Sequence, residues 1–217
     1  MENRILAIDP GNMKSGWIIG RDDEEVIGGF DVVSFGVDEN KYLRGQFKEA
    51  VSLFQPTLTR LVIETPKPRG MPTAGEEMET MIHIGRFIQQ WSRLGGRWSY
   101  VFRQDVKLNL CGNNRAKDPN VSQAIKDRFG GEQNGRKCRV CKGKGWVGRG
   151  RPVCTACNGE MWEVPPGPLA GVATHVWAAL GVALWFVDVG EVHQRIINPN
   201  QNKKKRKSKK SKKDPTA

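Results

Sequence analysis

The chain has 217 residues, 38% hydrophobic and 27% charged, with 35 Lys or Arg against 23 Asp or Glu and a net charge of +12. That is enough apolar material for one ordinary core and a small appended module, which excludes wholesale disorder. The longest apolar stretch, Val176–Val187, is well short of the roughly 20 residues of a bilayer span. Residues 1–4 run into a strand pattern without the apolar region and cleavage site of a signal peptide, so the sequence reads as cytoplasmic, with no membrane partner.

In chain order, Ile5–Asp9 reads as a buried strand ending on an acid. Ser15–Gly20 and Val26–Phe35 read as two further strands of an antiparallel meander, with turns at Asp22-Asp23 and Gly28-Gly29. Lys41–Phe54 has helical spacing and stops at Pro56. Arg60–Thr65 is a short apolar strand ending on Glu64, followed by a Pro/Gly-rich loop over Lys67–Thr73. Gly75–Leu94 is a helix closed by Gly95-Gly96, Trp98–Arg103 a strand, and Val121–Phe129 a helix before Gly130-Gly131. A polar, glycine-rich segment fills Arg136–Val164, and Leu169–Val187 is a final apolar helix. The order β-β-β-α-β-α-β-α, an insert, then α, predicts a mixed α/β layer fold. The divisions are 1–135 with 165–190 as one discontinuous domain, 136–164 as the insert, and 200–217 as a disordered basic tail. Nine of the eleven residues in Lys203–Lys213 are Lys or Arg, and without residues 203–217 the net charge is +4. Such a block suits a polyanion-binding arm through counterion release; a solubilising tail and a localisation signal share the same composition.

Four of the five cysteines are spaced Cys138-x2-Cys141-x12-Cys154-x2-Cys157. Two such thiolate hooks can place four sulfurs around one tetrahedral Zn²⁺. The segment is too poor in apolar residues to fold without a metal, and the absence of a secretion signal disfavours disulfides. The first hook, Cys138-Arg-Val-Cys141-Lys-Gly143-Lys-Gly145, resembles the zinc-binding repeats of DnaJ-type chaperones, whereas the second has Glu160-Met161 where the second glycine would be. The resemblance implies a zinc hairpin. Cys111, left over, reads as a small buried hydrophobe. The hairpin carries Arg136, Lys137, Arg139, Lys142, Lys144, Arg149 and Arg151 around Trp146. It is predicted to contact DNA through Arg139, Lys142 and Lys144, with Trp146 stacking on an unpaired base; the alternative is a structural staple with solvated charges.

Asp9 and Glu64 each end a buried strand, where open α/β sheets bind ligands. His175 is the first titratable group of the final helix, and its convergence with the two acids would make a hard-to-borderline metal site. Ile5-Leu6-Ala7-Ile8-Asp9-Pro10-Gly11-x4-Gly16, Leu61-Val62-Ile63-Glu64, Lys107-x4-Gly112-x3-Ala116-Lys117-x3-Val121 and His175-x3-Ala179-Leu180-x2-Ala183 together resemble, in order and spacing, the RuvC-type Holliday junction resolvases. The run Cys111–Asp118 is most similar to bacteriophage versions of that family.

The resemblance implies a ribonuclease H-like mixed sheet flanked by helices, a homodimer, and an Mg²⁺-dependent, structure-selective endonuclease that cuts Holliday junctions and other branched DNA in DNA recombination and repair. A phage source would place it in the host-cell cytoplasm. Asp9, Glu64 and His175 take the family's metal-ligand positions. Two Mg²⁺ (or Mn²⁺) about 3.5–4 Å apart would clamp the attacking and leaving oxygens. Asp9 would bridge them, and His175 would hold one or accept a proton. Lys107 and Lys117 would bind the scissile or a neighbouring phosphate, while Asn113, Asn114 and Arg115 would contact DNA and Lys67 and Arg69 would probe the junction centre. Ala178 stands where the family usually has another acid, leaving Asp188, Glu79 or water for that place. Two alternatives follow: a branched-DNA-binding protein impaired in cutting, or a broader flap or fork nuclease. The helix Gly75–Leu94 is the candidate dimer interface, though a core helix would have the same composition.

Overall fold

The structure is a computed structural model that describes residues 4–49, 51–66, 75–131, 133, 135–148, 151–164, 167–172 and 174–190. Strand β1 (Arg4–Asp9) lies at the centre of a five-stranded sheet. It pairs antiparallel with β2 (Lys14–Asp22), which pairs antiparallel with β3 (Phe30–Glu39). On its other side β1 runs parallel to β4 (Thr59–Thr65), and β4 runs parallel to β5 (Arg97–Phe102), giving the order β3-β2-β1-β4-β5. β1 and β4 are buried along almost their whole length, as their near-continuous apolar runs require, whereas the edge strand β5 is buried only at Ser99 and Val101.

Helices cover both faces. Leu6, Ile8, Leu61 and Ile63 face α1 (Asn40–Glu49), α2 (Val51–Phe54) and α3 (Gly75–Arg93), around Phe47, Phe54, Phe87 and Trp91. Ile5, Ala7, Val62 and Val101 face the opposite layer of α4 (Arg103–Cys111), α5 (Asp118–Arg128) and α6 (His175–Val189). Helix α6 is buried at Val176 and at every position from Ala179 to Trp185, each large side chain contributing about 1.5–3 kcal/mol. Among the described residues, no helix is long and apolar enough to cross a membrane.

The mixed α/β class holds, and several boundaries move. β3 starts at Phe30, not Val26, because Val26–Gly29 closes a turn in which the Gly29 amide donates to the Val26 carbonyl at 2.8 Å. The helix expected over Lys41–Phe54 is described as helix over Asn40–Glu49 and over Val51–Phe54. β5 ends at Phe102, and Arg103 opens α4, a helix the sequence reading lacked. The final helix starts at His175 rather than Leu169.

The insert hangs from this core. Its ends pair as a short antiparallel ribbon, β6 (Arg136–Lys137) with β7 (Trp162–Val164). The chain's exit and return meet at Gln133, which is buried. Its side-chain amide donates to the Phe129 carbonyl at 2.9 Å, and its side-chain oxygen accepts from the Leu169 amide at 3.3 Å. Its backbone carbonyl accepts from the Gly167 amide at 2.9 Å.

Candidate functional site

Strand periodicity aims both acids at one face. Asp9 follows Ile5 and Ala7, and Glu64 follows Val62, so both point into the layer of α4, α5 and α6 at the carboxyl ends of parallel neighbours. Helix α6 brings His175 against them: its Nδ1 lies 3.0 Å from Asp9 Oδ2. A proton on Nδ1 completes that hydrogen bond and leaves the ring's lone pair on Nε2. The approach depends on Gly16 of β2, where a Cβ would lie 2.5 Å from the His175 carbonyl and 2.6 Å from its Cβ. Gly16→Val is therefore expected to push the start of α6 off the sheet and cut any activity that needs His175 by at least about tenfold, with little change in the other helices; an amide-resolved NMR map and an activity assay check this.

The three residues open onto a cavity of about 410 Å³. Arg103, Lys107, Asp118, Pro119, Ser122, Thr174, Trp177 and Ala178 complete much of its wall. Arg103 is the group between the acids. Its Nη1 donates to both Glu64 oxygens at 2.9 and 3.1 Å and lies 4.0 Å from Asp9 Oδ1. Its Nη2 lies 2.7 Å from Asp118, which also meets Lys107 Nζ at 3.1 Å. Burial, and next the Asp9 carboxylate, push Glu64 up to about 7 despite Arg103. Burial also raises Asp9, against the hydrogen bond from His175. Asp118 is held low by Arg103 and Lys107 although burial opposes them.

The buried carboxylates thus carry negative charge that their neighbours do not fully offset, and a guanidinium already lies between two of them. Such a hard-oxygen set with one imidazole fits a divalent cation. Among the described residues, however, only the four cysteines gather three or more ligand atoms within 4.8 Å of one another.

Lys107 reaches the cavity wall, whereas Lys117 lies outside it, exposed at the N-cap of α5. The spacing of that segment has a structural cause. Gly112 ends α4 in a left-handed conformation at φ 63°, and Ala116 and Val121 are buried. Asn113, Asn114 and Arg115 are exposed in the turn between α4 and α5, where Asn113 Oδ1 accepts from the Arg115 amide at 2.9 Å. Neither acid considered for the place of Ala178 reaches the cavity. Asp188 is at the other end of α6, paired with Arg128 at 2.8 and 2.9 Å, and Glu79 is on α3 across the sheet. The carboxylate that does enter is Asp118. Lys67 and Arg69 lie outside the described residues.

In the insert, Cys138, Cys141, Cys154 and Cys157 are buried and unbridged. Sγ separations of 3.9 Å for Cys138–Cys154 and 3.7 Å for Cys141–Cys157 match the edge of a ZnS₄ tetrahedron, about 3.8 Å for a Zn–S bond of about 2.3 Å. Burial opposes ionisation of Cys141, yet the amides of Gly145 and Gly143 and its neighbouring thiols bring it down to about 6. Burial pushes Cys157 up to about 11. The two hooks are built alike. Gly145 and Met161, each four residues after a hook's second cysteine, have φ of 77° and 71°. The second hook thus keeps the left-handed turn without the glycine that normally relieves it. The cluster fits zinc.

Trp146 pairs with Val153 across the hairpin, with Lys144 Nζ 5.5 Å and Arg151 Cζ 5.0 Å from its ring centroid. Arg139 and Lys142 are exposed on the first hook.

The sequence matches no protein-family model and no curated protein. Among solved structures, the chain is similar to Thermus thermophilus RuvC, at 14% identity and a TM-score of 0.54, over 86% of this chain and 96% of that one. It is also similar to T. thermophilus RuvC in complex with Holliday junction substrate, at 13% identity and a TM-score of 0.55, over 84% and 92% of the two chains. The fold is ribonuclease H-like. At these identities the likeness is one of fold, and the five-stranded mixed sheet between two helical layers, with a four-cysteine insert, is its form here.

Proposed function

We propose that this protein is a divalent-metal-dependent endonuclease that cuts branched DNA, Holliday junctions foremost. The observation that carries the reading is the meeting of Asp9, Glu64 and His175 at the carboxyl edge of a ribonuclease H-like sheet. A solved neighbour of that fold is bound to a Holliday junction. Asp9, Glu64 and His175 would hold Mg²⁺ or Mn²⁺, which when bound supplies charge stabilisation at the phosphate and lowers the pKa of water. Asp9 orients His175 through Nδ1, leaving Nε2 to ligate or to take a proton. Lys107, anchored by Asp118, places a fixed positive charge on the cavity wall for a phosphate. Lys117, outside the cavity, would bind a phosphate further along the strand, beside Asn113, Asn114 and Arg115. Rates on a four-way junction, a flap, a fork and linear duplex test the substrate class: preference for the junction is expected, and equal cutting of linear duplex rules it out.

The chain is read as a discontinuous nuclease domain over 1–135 and 165–190, a zinc insert over 136–164 and a basic tail over 200–217. A homodimer suits a two-fold junction. Met78, Met81 and Ile82 of α3 support one, being 56%, 46% and 50% exposed. Sedimentation of the full chain checks it: a monomer at micromolar concentration removes the dimer. The insert's cations and Trp146 would bind the DNA arms. Trp146→Ala is expected to weaken junction binding about 5–150-fold, by losing one stacked base worth about 1–3 kcal/mol; unchanged affinity in a gel-shift titration leaves the insert a staple. Ala178 on the cavity wall favours the second reading, a junction-binding relative that does not cut.

A further inference from the structure

We propose that Arg103 is the second cation of this site: one divalent ion is held by Asp9, Glu64 and His175, and the Arg103 guanidinium supplies the charge a second ion would bring. The inference rests on the nuclease reading and narrows it from two ions to one. Arg103 lies beside both acids on the Oδ1 side of Asp9, with Nη1 at 2.9 and 3.1 Å from the Glu64 oxygens and 4.0 Å from Asp9 Oδ1, whereas His175 takes Asp9 Oδ2 and leaves that side to an ion. Arg103 is fixed from the far side by Asp118 at 2.7 Å, itself pinned by Lys107 at 3.1 Å. It therefore cannot leave without breaking an ion-pair chain.

Ligand supply points the same way. Glu64 and Asp118 spend oxygens on Arg103 and Lys107, and Ala178 puts a methyl on the wall. A guanidinium is permanently charged and offers phosphate oxygens a planar pair of donors. In the reaction water adds to phosphorus as one P–O bond to a sugar breaks. One proton ends on the departing sugar oxygen, the other on the new phosphate monoester or in solvent. Arg103 would neutralise the charge that builds on the phosphate oxygens as that bond breaks.

The test is electron paramagnetic resonance of Mn²⁺ on the full, zinc-loaded protein, frozen on mixing with a four-way junction, alongside cleavage rates. The expected result is one magnetically isolated Mn²⁺ per protomer above an Asp9→Asn control. Arg103→Gln should keep that ion, which also reports its folding, and cut about 10²–10³-fold more slowly; Arg103→Lys should recover part of the loss. A spin-coupled Mn²⁺ pair in the wild type, or wild-type cutting by Arg103→Gln, overturns the proposal. An Asp9→Asn protein that binds as much Mn²⁺ as wild type overturns the nuclease reading beneath it, and the proposal with it.

Discussion

Glu64→Gln is expected to do two opposite things: remove metal-dependent cleavage and raise the melting temperature of the ion-free protein at pH 8. Glu64 is 8% exposed, beside a second buried carboxylate. Its pKa rises from 4.5 to about 7, first through burial and then through Asp9. An acid raised on folding stabilises the protein fully only below its unfolded value. Between pH 4.5 and about 7 the folded state binds more protons than the unfolded one, so stability falls as pH rises, and the cost is complete above that window.

At about 1.4 kcal/mol per pH unit the cost reaches about 3 kcal/mol, or roughly 5–10 °C in a chain of this size. Gln keeps the shape without the charge, and Arg103 retains Asp118 at 2.7 Å. Thermal melts from pH 4 to pH 8 should therefore descend for wild type in chelator, descend less steeply for Glu64→Gln, where the buried Asp9 still titrates, and rise again for wild type when Mg²⁺ is added. The variant should lose at least about 10³-fold in cleavage, through a missing ligand. A variant that melts lower than wild type at pH 8 would mean that the Arg103 pair outweighs burial.

Loss of zinc is the second large effect. Cys138→Ala, or a strong chelator on the wild-type chain, is expected to release one equivalent of zinc per chain and unfold residues 136–164, leaving the main sheet folded. Among the described residues, the insert's buried cluster is the four cysteines with only Val147 packed against them, separate from the two clusters that flank the sheet. Structural zinc in such segments is worth about 10–16 kcal/mol in apparent binding free energy, more than so small an apolar cluster returns. Gln133 ties exit to return outside the hairpin, so the core should not follow it into disorder. Metal analysis and limited proteolysis check both halves. A chain that carries no zinc would show that the cluster is not a metal site, and one as protease-resistant at 136–164 after losing its zinc as before would show that the metal does not hold the insert together.

Strand periodicity made the two acids legible. Asp9 and Glu64 close short apolar runs whose alternation puts them on one face, and the parallel pairing of β1 with β4 made them neighbours. The cysteine spacing was equally plain, because a hook is local. What stayed hidden was Arg103 with Asp118. Their meeting depends on α4, whose first turn, Arg103-Gln104-Asp105, has no apolar residue and reads as a strand end or a loop. Had α4 been recognised, Arg103 and Lys107, four residues apart, would have been expected on one helical face with a shared acid. Asp118 opens α5 beside Pro119, an ordinary helix start, and its second role emerges only when α5 folds back on α4. Met161 was visible as a departure from glycine, but that it keeps the left-handed turn is a property of the folded hook.

The central claim, that this cleft cuts branched DNA with a divalent cation held by Asp9, is tested most directly on a labelled four-way junction and its linear duplex. Each is incubated with and without Mg²⁺, for wild type and Asp9→Asn. Paired cuts in opposed junction strands that require Mg²⁺ and vanish in Asp9→Asn are the predicted result. Tight junction binding by the wild type with no cutting in Mg²⁺ or Mn²⁺, or cutting that Asp9→Asn retains, would contradict it.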